Sequence, residues 1–107
     1  MGEPALDLSE IVGLYKEDAR LMVAKMNDAL LRWAEIPVGG PARQDLRRLS
    51  HQLRGSGRTY GFRNVTRFSK AIEGIMLKIE KGQIAADDRT RKSIQAKVQL
   101  LAKAFES

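Results

Sequence analysis

The chain has 107 residues, a length that fits one small domain spanning residues 1–107. It holds no cysteine and one histidine, which excludes disulfides, thiolate metal sites and cysteine catalysis, and its net charge is +6. The longest apolar run, residues 21–24, is far too short to span a bilayer, and residues 1–4 have neither the basic start nor the apolar core of a signal peptide. We therefore expect a cytoplasmic protein.

Helical spacing of apolar residues dominates from the start, and no strand-like alternation is visible. Asp7 and Glu10 have the spacing of a capping box and predict a short first helix, which Gly13 weakens before a longer helix begins. The apolar stripe of the longer helix consists of Tyr15, Ala19, Met22, Met26, Ala29 or Leu30, and Trp33. The strongest helix breaker is the Pro-Val-Gly-Gly-Pro run at residues 37–41, and Pro41 suits the first turn of the next helix.

Three further helices are predicted after this breaker. The first of them ends at Gly61 and carries on one side Leu46, Leu49, Leu53 and Tyr60. The next ends at Gly82 and carries Val65, Phe68, Ile72, Ile75, Met76 and Ile79. The last begins near Asp87 and carries Ile94, Val98, Leu101 and Phe105. The pattern predicts an all-α protein, an antiparallel up-down four-helix bundle with the short first helix as a lid.

The positive charge is concentrated in the middle of the chain. Residues 37–70 hold eight basic side chains against one acid, Asp45, for a net +7, whereas residues 1–36 carry −3 and residues 71–107 carry +2. A block of one sign suggests a docking face for an acidic partner. A solvated surface that only keeps the protein soluble would show the same charge.

The single histidine, His51, is predicted to point to solvent. On a helical wheel it falls roughly 170° from the middle of the apolar sector, which argues against a core histidine. An exposed histidine without a functional role would show the same pattern. Against that reading, the side chains around it on the wheel are the basic residues Arg47, Arg48, Arg54 and Arg58.

Gly55 lies one helical turn after His51, directly beside the predicted position of the ring. Glycine inside a helix costs about 1 kcal/mol relative to alanine, and an outward-facing position offers little to pack against. The missing side chain would let a partner or a phosphoryl group approach. A neutral imidazole framed by arginines is a suitable nucleophile for such a group, because guanidinium ions balance its negative charge.

Counting from the predicted turn at Gly61 and Phe62 places His51 and Glu73 at the same level, since each is eleven residues from Phe62. A carboxylate at that level could accept the Nδ1–H of His51 and leave Nε2 as the nucleophile. Alternatively, Glu73 could be an exposed side chain that pairs with Lys70 one turn back.

Residues 51–56, His-Gln-Leu-Arg-Gly-Ser, followed by Gly61, an aliphatic helix and Glu73, resemble the signature of histidine phosphotransfer (HPt) domains. These domains are antiparallel four-helix bundles of about this size, so the resemblance covers essentially the whole chain. Residues 58–62 together with Glu73 look more like the phosphotransfer domain of chemotaxis histidine kinases than like the stand-alone relay type.

The resemblance implies a role for each residue around the histidine. His51 would be phosphorylated at Nε2, Arg54 would take the basic position beside it, where lysine is commoner, and Gly55 would keep the approach open. Glu73 takes the histidine's partner position. The docking residues for a partner would be Arg47, Arg48 and Arg58.

The resemblance also implies a phosphocarrier of a two-component phosphorelay, without kinase activity and without a cofactor of its own. His51 would exchange a phosphoryl group with the aspartate of a response-regulator receiver domain, which itself binds Mg²⁺, or receive it from a hybrid sensor histidine kinase. We expect a monomer that binds neither nucleic acid nor membrane.

Two other functions compete with this one. The high pI and the arginine-rich helix suggest nucleic-acid binding, although the six aromatic residues can all be placed in the core or at the ends of the bundle. A module that docks onto a receiver or kinase without chemistry would show the same fold and charge. Replacing His51 with glutamine would abolish function only in the phosphorelay hypothesis.

Overall fold

The computed structural model describes residues 7–36 and 40–105, which form four helices and no strand. In chain order these are α1 Leu8–Glu35, α2 Pro41–Tyr60, α3 Arg63–Glu80 and α4 Asp88–Ala104. The predicted all-α fold class is confirmed. Residues 1–4 and most of the predicted breaker, residues 37–39, lie outside the described residues, and so do both ends of the proposed 1–107 domain.

Helix α1 is one continuous helix of 28 residues. It begins as predicted at Asp7, whose carboxylate accepts a hydrogen bond from the backbone N–H of Glu10 at 2.8 Å. The predicted break at Gly13 is wrong, and the described chain has no separate short helix and no lid. Gly13 lies on the exposed face, and its cost of about 1 kcal/mol is too small to interrupt a helix that buries Tyr15 and Ala19 in the next turns.

The turn between α2 and α3 consists of Gly61 and Phe62 alone, as predicted. Gly61 has a φ of +80°, a left-handed conformation that glycine adopts without strain. Gly57 lets the two helices approach closely, because a Cβ atom there would lie 2.9 Å from Cγ1 of Val65. This short turn and close contact produce the predicted helical hairpin.

The other helix boundaries also follow the sequence. Pro41 occupies the first turn of α2. Helix α3 ends at Glu80, with Gly82 just beyond it at a φ of +74°. Asp87 caps α4 by accepting a hydrogen bond from the N–H of Thr90 at 2.9 Å. None of the four described helices combines the length and the apolar character that crossing a bilayer requires.

The helices form a ring in which each packs on the next and α4 returns to α1, whereas the backbones of diagonally opposite helices do not come close to each other. Contacts between the start of α1 and the end of α2 (Tyr15 stacked on Tyr60, 4.3 Å between ring centroids) and between their opposite ends (Arg32 to Asp45, 2.8 Å) show that these two run in opposite directions. Most of the predicted stripe residues are buried in the core. Four of them are only partly buried and pack against it, namely Met22, Phe68, Ile75 and Ile79. Val23 is buried although it was not predicted, and Tyr60 is 39% exposed at the end of the bundle.

Candidate functional site

His51 lies on the outer face of α2, as the helical wheel predicted. The neighbouring residues Leu49, Ser50 and Leu53 are buried, so the helix turns its apolar side to the core and the imidazole to solvent. The side chain of His51 is 64% exposed. A nucleophile at this position is accessible to a partner protein.

Glu73 reaches His51 from the adjacent helix α3. Its Oε2 atom lies 2.6 Å from Nδ1 of the imidazole, and its own side chain is only 9% exposed. The contact predicted by counting from the turn is present, and the alternative pairing with Lys70 is not. The hairpin therefore joins an exposed ring to a buried carboxylate.

The geometry indicates which nitrogen of His51 carries the proton. A carboxylate can only accept hydrogen bonds, so the short contact with Glu73 requires a proton on Nδ1. The lone pair of a neutral ring then resides on Nε2, which forms no hydrogen bond with any residue in the ranges 7–36 and 40–105. The nitrogen that the resemblance marks for phosphorylation is thus available.

Arg54 is directed toward Glu73 rather than toward open solvent. Its Nη1 donates to Oε1 of Glu73 at 2.7 Å, while Nη2 lies 3.5 Å from Nδ1 of His51, too far to compete for a nitrogen that already carries a proton. Arg54 therefore lies beside the ring, as the sequence predicted, and its guanidinium is bound to the carboxylate of Glu73. A buried carboxylate needs a donor on each oxygen, and Arg54 supplies the second one.

Gly55 leaves open space beside the ring. A Cβ atom at this position would meet no atom within 4 Å, and the residue is exposed. The predicted gap is present and no other part of the described chain fills it.

Two of the predicted docking arginines already have acidic partners within the protein. Arg47 lies 2.7 Å from Glu80 on α3, and Arg48 lies 3.4 Å from Asp45 on its own helix. Asp45 also accepts a hydrogen bond from Arg32 of α1, and this bond holds the pKa of Asp45 below its ordinary range. The third docking residue, Arg58, forms no ion pair with the described residues and lines a shallow depression with Arg63.

A groove between α2 and α3 surrounds the imidazole. Its walls consist of Gln44, Arg47, Arg48, His51, Glu73 and Leu77. Sequence reasoning missed Gln44 and Leu77, although counting from the turn places Leu77 opposite Arg47. In the described part of the chain, no group of three or more His, Asp or Glu side chains is placed to hold a metal ion.

A second polar contact links the helix of His51 to α1. The hydroxyl of Tyr15 lies 3.0 Å from Oγ of Ser56, which is the neighbour of Gly55, and burial raises the pKa of this tyrosine. The ring of Tyr15 also stacks on Tyr60 and contacts Phe62. These contacts fix the end of α2 that follows His51.

Comparison with protein families matches residues 10–104 to the family described as Hpt domain. Neither the curated proteins nor the solved structures that were compared with the chain give a match. The family comparison does not separate the chemotaxis type from other types, so that assignment stays a prediction. Hpt domains are phosphocarrier modules of two-component phosphorelays, act with receiver or kinase partners and are not kinases themselves. With almost its whole length matched, the chain belongs to the Hpt domain family.

Proposed function

We propose that His51 accepts a phosphoryl group at Nε2 and exchanges it with the aspartate of a receiver domain. The observation that carries the proposal is the contact between an exposed imidazole and the buried Glu73, which occupies Nδ1 and leaves Nε2 open. A direct transfer from a sensor kinase would use the same nitrogen.

The transfer from a receiver is a displacement at phosphorus. The lone pair on Nε2 attacks the phosphorus of the aspartyl phosphate, and an N–P bond forms as the P–O bond to the aspartate breaks. The aspartate leaves as a carboxylate with the electron pair of that bond. No proton has to leave the imidazole, because the Nδ1–H stays in its hydrogen bond to Glu73 and the carboxylate offsets the positive charge that develops on the ring. The reverse sequence returns the phosphoryl group.

Three residues support this step without taking part in bond formation. Glu73 fixes the tautomer and orientation of the ring, and Arg54 in turn holds the carboxylate from its other oxygen. The open space at Gly55 admits the partner's phosphoryl group. We expect Mg²⁺ to be needed only by the receiver, which supplies the acidic pocket.

The buried position of Glu73 favours chemistry over simple docking. Removing a carboxylate from water costs free energy unless charged and polar partners compensate it. A docking surface gains nothing from a carboxylate that is hidden under the ring. An imidazole whose tautomer must be fixed does gain from it.

The experiment mixes the protein with a radiolabelled phospho-receiver and follows the label. We expect acid-labile, base-stable label on the wild type and none on His51→Gln, because only the imidazole forms a phosphoramidate. Gln52→Ala, a change at the exposed neighbouring residue, is the matched control and should take up label like the wild type. Equal labelling of His51→Gln would show that the acceptor is another residue.

A further inference from the structure

The cations near His51 fall into two groups that the sequence does not distinguish. One group has acidic partners inside the protein and consists of Arg47, Arg48 and Arg54. The other group forms no ion pair with residues 7–36 or 40–105 and consists of Arg58, Arg63 and Lys70, whereas Arg67 of α3 lies over the ring of Phe68. We call this second group the turn-side cluster.

The turn-side cluster lies between His51 and the turn that joins α2 to α3. Arg58 is two helical turns after His51 on the same face, about 10 Å along the helix. Lys70 lies one turn before Glu73 on α3, and Arg63 is the first residue of that helix. Arg58 and Arg63 line one depression, so the cluster spans both helices of the hairpin.

The part of the hairpin between His51 and Glu73 supplies no acid that could offset these charges. Residues 52–72 contain no Asp or Glu at all, and the two acids of α3, Glu73 and Glu80, are bound to residues of α2. On the far side of His51, by contrast, Arg47 is paired with Glu80 and Arg48 with Asp45, and the uncharged Leu77 forms part of the groove wall. The positive charge that lacks an acidic partner therefore lies on the side of His51 that faces the turn.

We infer that the turn-side cluster is the electrostatic docking surface for an acidic face of the receiver, which binds off-centre from His51, toward the α2–α3 turn. This inference rests on the proposed phosphotransfer function. Unpaired exposed cations attract carboxylates over a longer range than cations already bound to an acid. Arg47 and Arg48 would have to give up an internal partner before they could bind an external one, so their contribution to association is smaller.

The inference is tested with three variants of the whole chain. The first, Arg58→Gln, Arg63→Gln and Lys70→Gln, removes the cluster. The matched control, Arg89→Gln, Lys92→Gln and Lys103→Gln, removes the same charge from exposed positions on α4, the helix diagonally opposite α2. The third variant, Arg47→Gln and Arg48→Gln, removes the cations that have internal partners. The phosphoryl donor is a receiver domain encoded in the same genome. It is chosen as the one that transfers its phosphoryl group fastest to the wild type.

The readout is the transfer rate at increasing receiver concentration, which separates association from the maximal rate. At low salt we expect the cluster variant to lose roughly tenfold in the apparent second-order rate constant, with an unchanged maximal rate. The loss should shrink at about 0.5 M salt, where charges are screened within a few ångströms. The α4 control and the Arg47, Arg48 variant should stay within about twofold of the wild type.

Several results would overturn the inference. An equal loss in the α4 control would mean that only net charge matters, and an equal loss in the Arg47, Arg48 variant would mean a surface centred on His51. A fall in the maximal rate would place the cluster in the chemistry. Tighter binding of duplex DNA than of the receiver, lost in the cluster variant, would make the surface a nucleic-acid site. In each case His51→Gln still reports separately on the proposed function.

Discussion

Glu73 and His51 are 22 residues apart in the chain, yet Oε2 of the glutamate lies 2.6 Å from Nδ1 of the imidazole. One end of this contact is buried and the other is exposed, because Glu73 belongs to the inner edge of α3 and His51 to the outer face of α2. The two-residue turn at Gly61 and Phe62 sets the register that brings them together. The pair places a reactive nitrogen in solvent while its other nitrogen is held by the protein.

The first prediction concerns the carboxylate. Glu73→Ala should slow phosphotransfer roughly 10- to 100-fold, because a hydrogen bond to a charged group contributes about 1.5–3 kcal/mol. Glu73→Gln keeps an oxygen that can accept the Nδ1–H and should lose less. The ¹⁵N shifts of the ring report the tautomer independently of activity. If Glu73→Ala kept both the tautomer and the rate of the wild type, the positioning role would be refuted.

The second prediction separates stability from function at Gly55. Gly55→Ala should raise the free energy of unfolding by about 0.5–1 kcal/mol, since the added methyl meets nothing and favours the helix. The same methyl lies beside the ring and should slow transfer roughly threefold to tenfold. Gly13→Ala is the control: its methyl is equally free of contacts on α1, so it should stabilise the fold without slowing transfer. Identical transfer rates for both variants would count against the open approach.

The third prediction concerns the close contact of α2 and α3. Gly57→Ala should destabilise the fold by about 1–3 kcal/mol, although the change is chemically the same as at Gly55. The new Cβ would lie 2.9 Å from Cγ1 of Val65 and 3.1 Å from the backbone nitrogen of Thr66, so the helices must move apart. Urea unfolding measures the effect. A stability equal to or above that of the wild type would show that the helices can separate at no cost.

The fourth prediction is a pH dependence of stability. The hydrogen bond from Arg32 lowers the pKa of Asp45, so the folded state holds this carboxylate ionised more strongly than the unfolded chain does. Its contribution is present above the ordinary carboxyl range and is lost as the pH falls through the lower, folded-state pKa. Because the pair of Arg32 and Asp45 is partly exposed, Asp45→Asn should lower the free energy of unfolding by less than about 1 kcal/mol at neutral pH. Urea unfolding should show that the wild type is more stable than Asp45→Asn at neutral pH, and that the difference in free energy of unfolding is smaller at about pH 3. A difference that became larger at acidic pH would contradict this prediction.

Periodicity was sufficient to predict the parts of the site that depend on one helix or on the turn. The wheel places His51 and Gly55 outward, and equal spacing from Phe62 pairs His51 with Glu73, because a two-residue turn leaves little freedom in register. The single helix α1 was not predictable in the same way. Whether Gly13 breaks a helix depends on the packing of the residues after it, which local propensity does not contain.

The ion pairs of the arginines could not be predicted from the sequence pattern either. Counting from the turn pairs Arg47 with residue 77, whereas its long side chain reaches one turn further to Glu80. The spacing of Asp45 and Arg48 could have indicated their contact, but not that Arg32 of another helix shares the same carboxylate. The net charge of residues 37–70 therefore overestimates the unpaired positive charge near His51. It also does not show that this unpaired charge lies toward the turn.

The most direct test of the account is to determine which ring nitrogen carries the phosphoryl group. The protein is labelled with ¹⁵N, phosphorylated by its receiver, and its imidazole is examined by ¹H–¹⁵N and ³¹P NMR. We expect a single phosphohistidine at residue 51, with phosphorus bonded to Nε2 and a proton retained on Nδ1 opposite Glu73. Phosphorus on Nδ1, or on any residue other than His51, would contradict the account.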